Sequence, residues 1–461
     1  MYTRLAILLI ASACVCAGEY QPDPRSKQAD GLFHRGDFQA STKLYLAVYE
    51  DAVKAGVRDE RLADAAGQLG SAYTVDDRFV EAEPLLKQAV EIDRDLFGAD
   101  AAQTAIHSIS LAKLYVSQGR AGEAEELLAH ARPIVEKAYG AESLKIAAVL
   151  NHLGLVQDLR GNQGQAVAYY RQAIRLYEQY GDSQRAMMAV VMANLVTVLV
   201  DQSRYEEAAA TAEKALSLQE AVFGPDHPFT ARALHSLGTV YQGQRRLEEA
   251  RSAYQRALEI HARHPDVGAL DASAEEASMA ALYIDEGYYA KAEALLKKSI
   301  VTREKILGPN HADMASALNN LGVLYGMQNR FTEAEKTLEK AFGIAERALG
   351  PAHPRTLPLL VNLAWVCFGE GRYSKDRYAK AEALYRRALA GDEQRLGSDH
   401  IEVSNMLVNL AAVCAAEKKY REAKQLEGRA LAIRRAVLGP EHPDTVKTFK
   451  QYTFLLHKSK E

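Results

Sequence analysis

Alanine recurs along this chain at a fixed interval. Ala40, Ala82, Ala124, Ala166, Ala208, Ala250, Ala292 and Ala334 are spaced by 42 residues, and Ala381 and Ala423 continue the series after one five-residue slip. A second small-residue column runs beside it: Ala47, Ala89, Ala131, Ala173, Ala215, Ala257, Ser299, Ala341, Ala388 and Ala430. A chain that needs a methyl-sized side chain at the same two places about ten times over is built from one repeated unit. Periods of roughly 20–50 residues mark solenoids or propeller arrays. Each unit then contacts only its neighbours, and the body grows by stacking rather than by enlarging one core.

Residues 312–349 show the unit best. Leu318, Leu321 and Tyr325 are spaced by three and four, one face of an amphipathic helix. Asn329-Arg330 interrupts it. Phe331 to Leu349 predicts a second helix with Ala334, Leu338, Ala341 and Ala345 inward. Gly350 suits a left-handed position after a helix end, Pro351 cannot continue the helix, and Pro354 fits the first turn of the next one. The unit is helix, turn, helix, loop. The loop recurs as Gly224-Pro225-Asp226-His227-Pro228, Gly308-Pro309-Asn310-His311, Gly397-Ser398-Asp399-His400 and Gly439-Pro440-Glu441-His442-Pro443. Its histidines stand one per unit at helix starts, a whole repeat apart, which predicts capping rather than metal or acid–base chemistry.

The expected fold class is therefore all-α, about ten such units with about 21 helices and no β-sheet. His442 to Lys458 reads as an unpaired final helix covering the last apolar face, as terminal repeats require. The expected organisation is a leader over 1–18, a linker over 19–25, the repeat array over 26–441, and a capping helix with tail over 442–461.

The leader stands apart. Arg4 precedes Leu5-Ala6-Ile7-Leu8-Leu9-Ile10, followed by small residues to Ala17-Gly18, the layout of a secretory signal. Its apolar core is about half what a membrane-spanning helix needs. Ala11-Ser12-Ala13-Cys14 also resembles a lipoprotein processing site, so lipid on Cys14 is the one expected membrane link. The alternative is a buried first helix, which Tyr20-Gln21-Pro22-Asp23-Pro24 argues against. Export to the periplasm or outside the cell is the expected location. Cys367 and Cys414 share a column 47 residues apart, too far in a stack for a disulfide, and read as buried apolar residues.

Charged residues make up 25% of the 461, hydrophobic ones 48%, and the net charge is −4. No Lys/Arg run is long enough to neutralise phosphates, so nucleic acid is not an expected partner. No CxxC pair, HExxH, GxSxG or phosphate loop is present, no metal or cofactor is expected, and no catalytic residue is assigned. Asp158, Asp201 and Asp285 fall on different units and read as solvated surface.

Leu318-x-x-Leu321-Gly322-x-x-Tyr325, with Ala334 and Leu338 beyond, resembles the tetratricopeptide signature. The 42-residue period, the Leu318-Asn319-Asn320-Leu321 run and the Leu-Gly-Pro-x-His-Pro loop resemble the kinesin light chain type of that repeat. The resemblance covers nearly everything after about Ser26. It implies a right-handed superhelical solenoid whose first helices line a concave wall. Two features depart from it: Glu276 stands where Leu318 stands, with His264-Pro265 replacing the loop five residues early, and Gly371 to Tyr378 carries the insertion behind the slip.

On the implied wall one column reads Gln68, Ser110, His152, Asn194, Ser236, Ser278, Asn320, Asn362 and Asn409. A carboxamide both donates and accepts, so Asn319, Asn320, Asn362 and Asn409 are candidates to hold a peptide backbone; the alternative is that these amides tie neighbouring helices together. Trp365 and Phe368 are the candidate apolar anchor, or else core. The chaperone-type relatives grip a carboxylate with lysines on this wall, whereas the corresponding positions here, from Gly67 and Ile109 to Val361 and Val408, include no Lys or Arg. The expected function is a non-enzymatic scaffold that binds a peptide or protein in the groove, outside the cytoplasm. The alternatives are a cytosolic adaptor like kinesin light chain and, further off, an enzyme with a site in the groove.

Overall fold

The computed structural model describes residues 23–459 apart from 35–36, 352 and 372–373. The expected leader, with Cys14 and Cys16, lies outside them. Among the described residues there are 21 α-helices and no strand: α1 (Pro24–His34), α2 (Phe38–Lys54), α3 (Glu60–Val75), α4 (Phe79–Phe97), α5 (Ala102–Ser117), α6 (Ala121–Tyr139), α7 (Leu144–Leu159), α8 (Gln163–Gln179), α9 (Arg185–Asp201), α10 (Tyr205–Phe223), α11 (Pro228–Gly243), α12 (Leu247–Arg263), α13 (Pro265–Asp285), α14 (Tyr289–Leu307), α15 (Ala312–Met327), α16 (Phe331–Leu349), α17 (Leu357–Glu370), α18 (Asp376–Leu396), α19 (Ile401–Ala416), α20 (Tyr420–Leu438) and α21 (Pro443–Lys458). Odd-numbered helices open each pair and even-numbered helices close it; α21 stands alone at the end. The chain divides into two compact units between Glu275 and Glu276, inside α13.

The alanine columns mark the crossings within the pairs. From Ala82 to Ala423 in the first column, and from Ala89 to Ala430 in the second, these residues are buried; only Ala40 and Ala47 in the opening pair stay half-covered. In α15 and α16 a Cβ added to Gly322 would lie 2.6 Å from Leu338 Cγ and 3.4 Å from the Ala334 carbonyl. Glycine on one helix and alanine on the other let the backbones meet, and Leu338 fills the remaining space, fully buried. Burying such a leucine stabilises by roughly 1.5–3 kcal/mol, and Leu86, Leu128 and Leu296 hold the same place in their pairs, also fully buried.

The loops follow the capping logic. His227, His311, His400 and His442 are N-caps whose side chains accept a hydrogen bond from the backbone N–H two residues on. The expectation for Gly350 needs correcting: its φ is 96° as anticipated, but ψ is 160°. That is not the left-handed helical well but an extended region open essentially to glycine. The short turn inside the α15–α16 pair holds the left-handed residue instead, Asn329 at φ 58°.

Pro354 also differs from expectation. It lies in the turn before α17, which starts at Leu357. Pro358 has no N–H to offer the Pro354 carbonyl, so the ladder is interrupted there, and the Leu357 N–H reaches further back, to the His353 carbonyl at 3.2 Å. Between α12 and α13 the loop shrinks to His264 alone, and α13 runs 21 residues. The five-residue insertion is shared between a longer turn and a longer α18, also 21 residues. Arg377 from it and Lys380 just beyond it on α18 reach back to Glu335, at 2.9 and 2.5 Å.

Candidate functional site

The first helices α3, α5, α7, α9, α11, α15, α17 and α19 touch second helices beside them and, in several places, the first helix of the next pair: α3 with α5, α5 with α7, α7 with α9, α9 with α11, and α15 with α17. So much contact leaves a single accessible stripe. On α15 it runs through Ser316, Asn319, Asn320, Val323 and Met327; on α17 through Pro358, Val361, Asn362 and Trp365; on α19 through Asn405, Val408, Asn409 and Ala412. The charged residues gather elsewhere, on the second helices and the turns leading into them, where Arg330, Arg386 and Lys419 pair with Glu293, Glu422 and Glu382.

The structure brings the candidate residues of the C-terminal unit onto this stripe, with one exception. The Asn362 amide donates to the Asn319 side-chain oxygen at 2.8 Å, bridging α17 to α15. The same bridge joins Asn194 of α9 to Asn151 of α7 at 2.9 Å. Tying neighbours together is therefore one use of these amides. The side chains of Asn320 and Asn409 make no protein hydrogen bond among the described residues. Trp365 is 39% exposed, its indole edge against Gly326, where a Cβ would sit 2.6 Å from the ring. Phe368 turns away: it packs on the core cluster around Leu363 and Cys367, its ring 5.8 Å from Tyr378. The two aromatics do not form one pocket.

The N-terminal unit is lined differently. The stripe on α7 is covered throughout, from Ala148 through His152 to Leu159. His152 is held by a contact between Nδ1 and the Ala148 carbonyl at 2.7 Å. Burial pushes its imidazole down to about 4, opposed by that carbonyl and reinforced by the charge of Lys113. Lys113 occupies the column of Val323 and Trp365, one turn beyond the wall positions read from the sequence, and is 8% exposed. A column scan for cations one turn further along each first helix would have found it.

Polar groups also lie between pairs. His107 Nδ1 meets Asp93 at 2.6 Å, and its Nε2 lies 3.8 Å from Asp64; all three are buried. Glu275 sits between His235 at 3.4 Å and His261 at 3.7 Å, also buried. Burial works against the Glu275 carboxylate, but the two histidines outweigh it and bring the group down to about 2. Asp158 is buried too, contrary to the solvated reading, because the α7 stripe is covered; Asp201 and Asp285 are exposed. Cys367 and Cys414 are buried free thiols, as expected. Glu382, Cys414 and Glu422 converge closely enough to hold a cation, but Arg386 and Lys419 already neutralise the two carboxylates.

Stacked helix pairs that leave stripes of first-helix side chains accessible make a repeat scaffold for contact with other proteins. The tetratricopeptide repeat model matches residues 61–137, 103–179, 187–263, 271–346, 328–375 and 374–436. The chain belongs to the tetratricopeptide repeat family, whose members are in general non-catalytic. No curated protein matches it. Among solved structures it is similar to BtubC (BKLC) from P. vanneervenii, at 22% identity and TM-score 0.43, over 52% of this chain and 94% of that one. It is also similar to a putative kinesin light chain from Podosopora anserina, at 21% and 0.38, over 44% and 95%. RapI in its apo form gives 14% and 0.47, over 82% and 99%. Likenesses this distant say nothing of partner or role.

Proposed function

We propose that the protein is a non-enzymatic scaffold that holds an extended peptide segment of a partner along the first-helix stripe of its C-terminal unit. One observation carries this reading. Asn320, Asn362 and Asn409 recur on that stripe at repeat spacing, beside a half-exposed Trp365. Carboxamides pair with peptide N–H and C=O whatever the sequence, and an exposed tryptophan is the side chain that most often anchors such contacts. Asn320 and Asn409 supply the backbone contacts, Asn362 adds to them while bridging to Asn319, and Phe368 supports the wall from beneath. The apolar leader at 1–18 supports a place outside the cytoplasm, with Cys14 a lipid attachment point. The test is capture from the native source with the full chain and with an Asn320→Ala/Asn409→Ala variant. Proteins held by the wild type and released by the variant bear the reading out. A partner set unchanged by the variant refutes it, and an intact Met1 on native protein refutes export.

A further inference from the structure

The helix α21 breaks a rule that solenoids otherwise keep. A terminal element covers the last core with one side and is polar on the other, because the other side meets water. The inner side of α21 complies: Thr445, Thr448 and Leu455 are buried, Leu455 in the same core cluster as Ala423 of α20. The outer side does not. Val446 is 36% exposed and Phe449 47%, with the half-buried Thr453 and Leu456 continuing the row at helical spacing. The Thr453 hydroxyl donates to the Phe449 carbonyl at 2.8 Å, which leaves its methyl group to the row.

The repeat register shows what this row is for. Val446, Phe449 and Thr453 stand where Ala315, Leu318 and Gly322 stand on α15, and Leu357, Leu360 and Ala364 on α17. In those pairs the second helix covers the row. Leu318 packs with Ala341 and Ile344 of α16, Leu360 packs with Ala388 of α18, and Gly322 lies against Leu338. Among the described residues α21 packs on α20 and has no second helix of its own.

The open row is bordered by positive charge. α21 carries Lys447, Lys450, His457 and Lys458 against one acid, Asp444. Lys450 and His457 stand one step round the helix from the row, and both are exposed. From the α20 side, the exposed Arg435 guanidinium lies 5.3 Å from the centre of the Phe449 ring. None of these three has a carboxylate partner among the described residues. An apolar row with basic borders, at the spacing of helix anchors, is a seat for one amphipathic helix.

We propose that α21 takes an acidic amphipathic helix of a partner protein in the place of a second helix, with two small residues seven apart at the contact. Such residues are what the two alanine columns supply inside this chain, Ala334 and Ala341 of α16 for example, and they let the backbones approach. The acidic character follows from the borders. Complementary charge favours that encounter, whereas a second copy of the chain would bring further positive charge to a face that is already positive. This contact is separate from the groove stripe of Trp365 and neither needs nor excludes binding there.

The probe is a fluorescent peptide copying residues 331–349 with Lys336→Glu and Lys340→Glu, which keeps the two alanines of α16 and makes the helix acidic. It is titrated against the full chain by anisotropy. The acidic probe is expected to bind roughly tenfold more tightly than the unaltered sequence, and roughly tenfold more tightly than the same probe with Ala334→Leu and Ala341→Leu. Phe449→Gln and Lys450→Glu in the full chain, both at exposed positions, should each weaken it by about tenfold without lowering the melting temperature. Absence of binding, equal binding of the three peptides, or an affinity unmoved by Phe449→Gln overturns the proposal. Weakening by Trp365→Ala rather than by Phe449→Gln puts the peptide in the groove and also overturns it. Sedimentation of the full chain alone and flotation with phosphatidylserine vesicles test the other occupants. Self-association or vesicle binding that Phe449→Gln abolishes assigns the face to a second copy or to a membrane and overturns the partner helix.

Discussion

Gly322 and Gly343 lie in the same helix pair, and adding one methyl group to each should move stability in opposite directions. In an isolated helix, glycine to alanine is favourable at both, by about 0.5–1 kcal/mol. At Gly343 on α16 the new methyl finds only the end of the Arg347 side chain, at 3.4 Å, which can swing aside. The full gain is expected. At Gly322 on α15 it would lie 2.6 and 2.9 Å from Leu338 Cγ and Cδ2, and Leu338 is fully buried with nowhere to go. Overpacking of this kind costs about 1–3 kcal/mol, so Gly322→Ala should be destabilising by about 1 kcal/mol after the helix gain is offset. Urea unfolding of the full chain with hydrogen exchange resolved by helix is the assay, because a repeat protein loses protection locally before it unfolds as a whole. Gly322→Ala should lose protection in α15, α16 and their neighbours, and Gly343→Ala should gain it in α16. If Gly322→Ala stabilises as much as Gly343→Ala, the glycine and alanine columns do not mark close backbone contact, and the account of the core given above is wrong.

Three further outcomes are expected. Glu427, buried on α20 with one carboxylate oxygen unpaired, is pushed up to about 7 by burial, against the pull of Arg434. The folded state thus holds its proton more tightly than the unfolded state, and stability is lost as pH rises from about 4.5 to 7; Glu427→Gln should abolish that slope and stabilise at pH 8 by roughly 1–3 kcal/mol, with no effect at pH 4, in urea titrations across the range. Trp365→Ala should weaken a captured partner by about 2 kcal/mol or more if the indole is an anchor, and Asn362→Ala by about 0.5–1.5 kcal/mol; calorimetric binding beside melting curves decides, since loss of stability with unchanged affinity would make both purely structural. Asp93→Val and His107→Val should each cost several kcal/mol by stranding a buried polar partner, whereas the double variant, which reproduces Val135 and Val149, should be more stable than either single one; thermal melts of the three would contradict this if the losses simply added.

How much of this could be read from the sequence depended on whether a residue's role is set within its own repeat or across to the next. The alanine columns, the histidine caps and the buried cysteines are repeat-internal, and a column of identical residues states their environment directly. Gly350 was legible as a special position, but its ψ is set by the path of the loop into α17, which no column records. Pro354 was misplaced because the decisive proline is Pro358, whose missing N–H acts four residues upstream. Trp365 and Phe368 look alike at helical spacing, and only the covering of all but one stripe of α17 separates them. Asp158 escaped because the covering of the α7 stripe, with α5 and α9 on either side, is recorded in no column, and Lys113 because it lies one turn beyond the columns read on the first helices.

The contact between successive pairs shows what the columns leave open. His107 and Glu275 occupy one column, four 42-residue intervals apart, and Asp93 and His261 occupy another. The buried couple is therefore built twice with its partners exchanged: carboxylate on the second helix and histidine on the next first helix in one place, histidine and then carboxylate in the other. Between these two places the same columns hold Val135 with Val149, both fully buried, then Tyr177 with Val191 and Gln219 with Ala233. The backbone geometry thus accepts an apolar pair or a histidine–carboxylate pair in either sense. Burying ions offers little net stability over packed apolar groups, so the exchange is better explained by what a polar pair adds, namely a penalty for mismatch. An apolar contact such as Val135 with Val149 is indifferent to which apolar face it meets. A histidine that must meet a carboxylate discourages stacking out of order, where one of them would be buried alone.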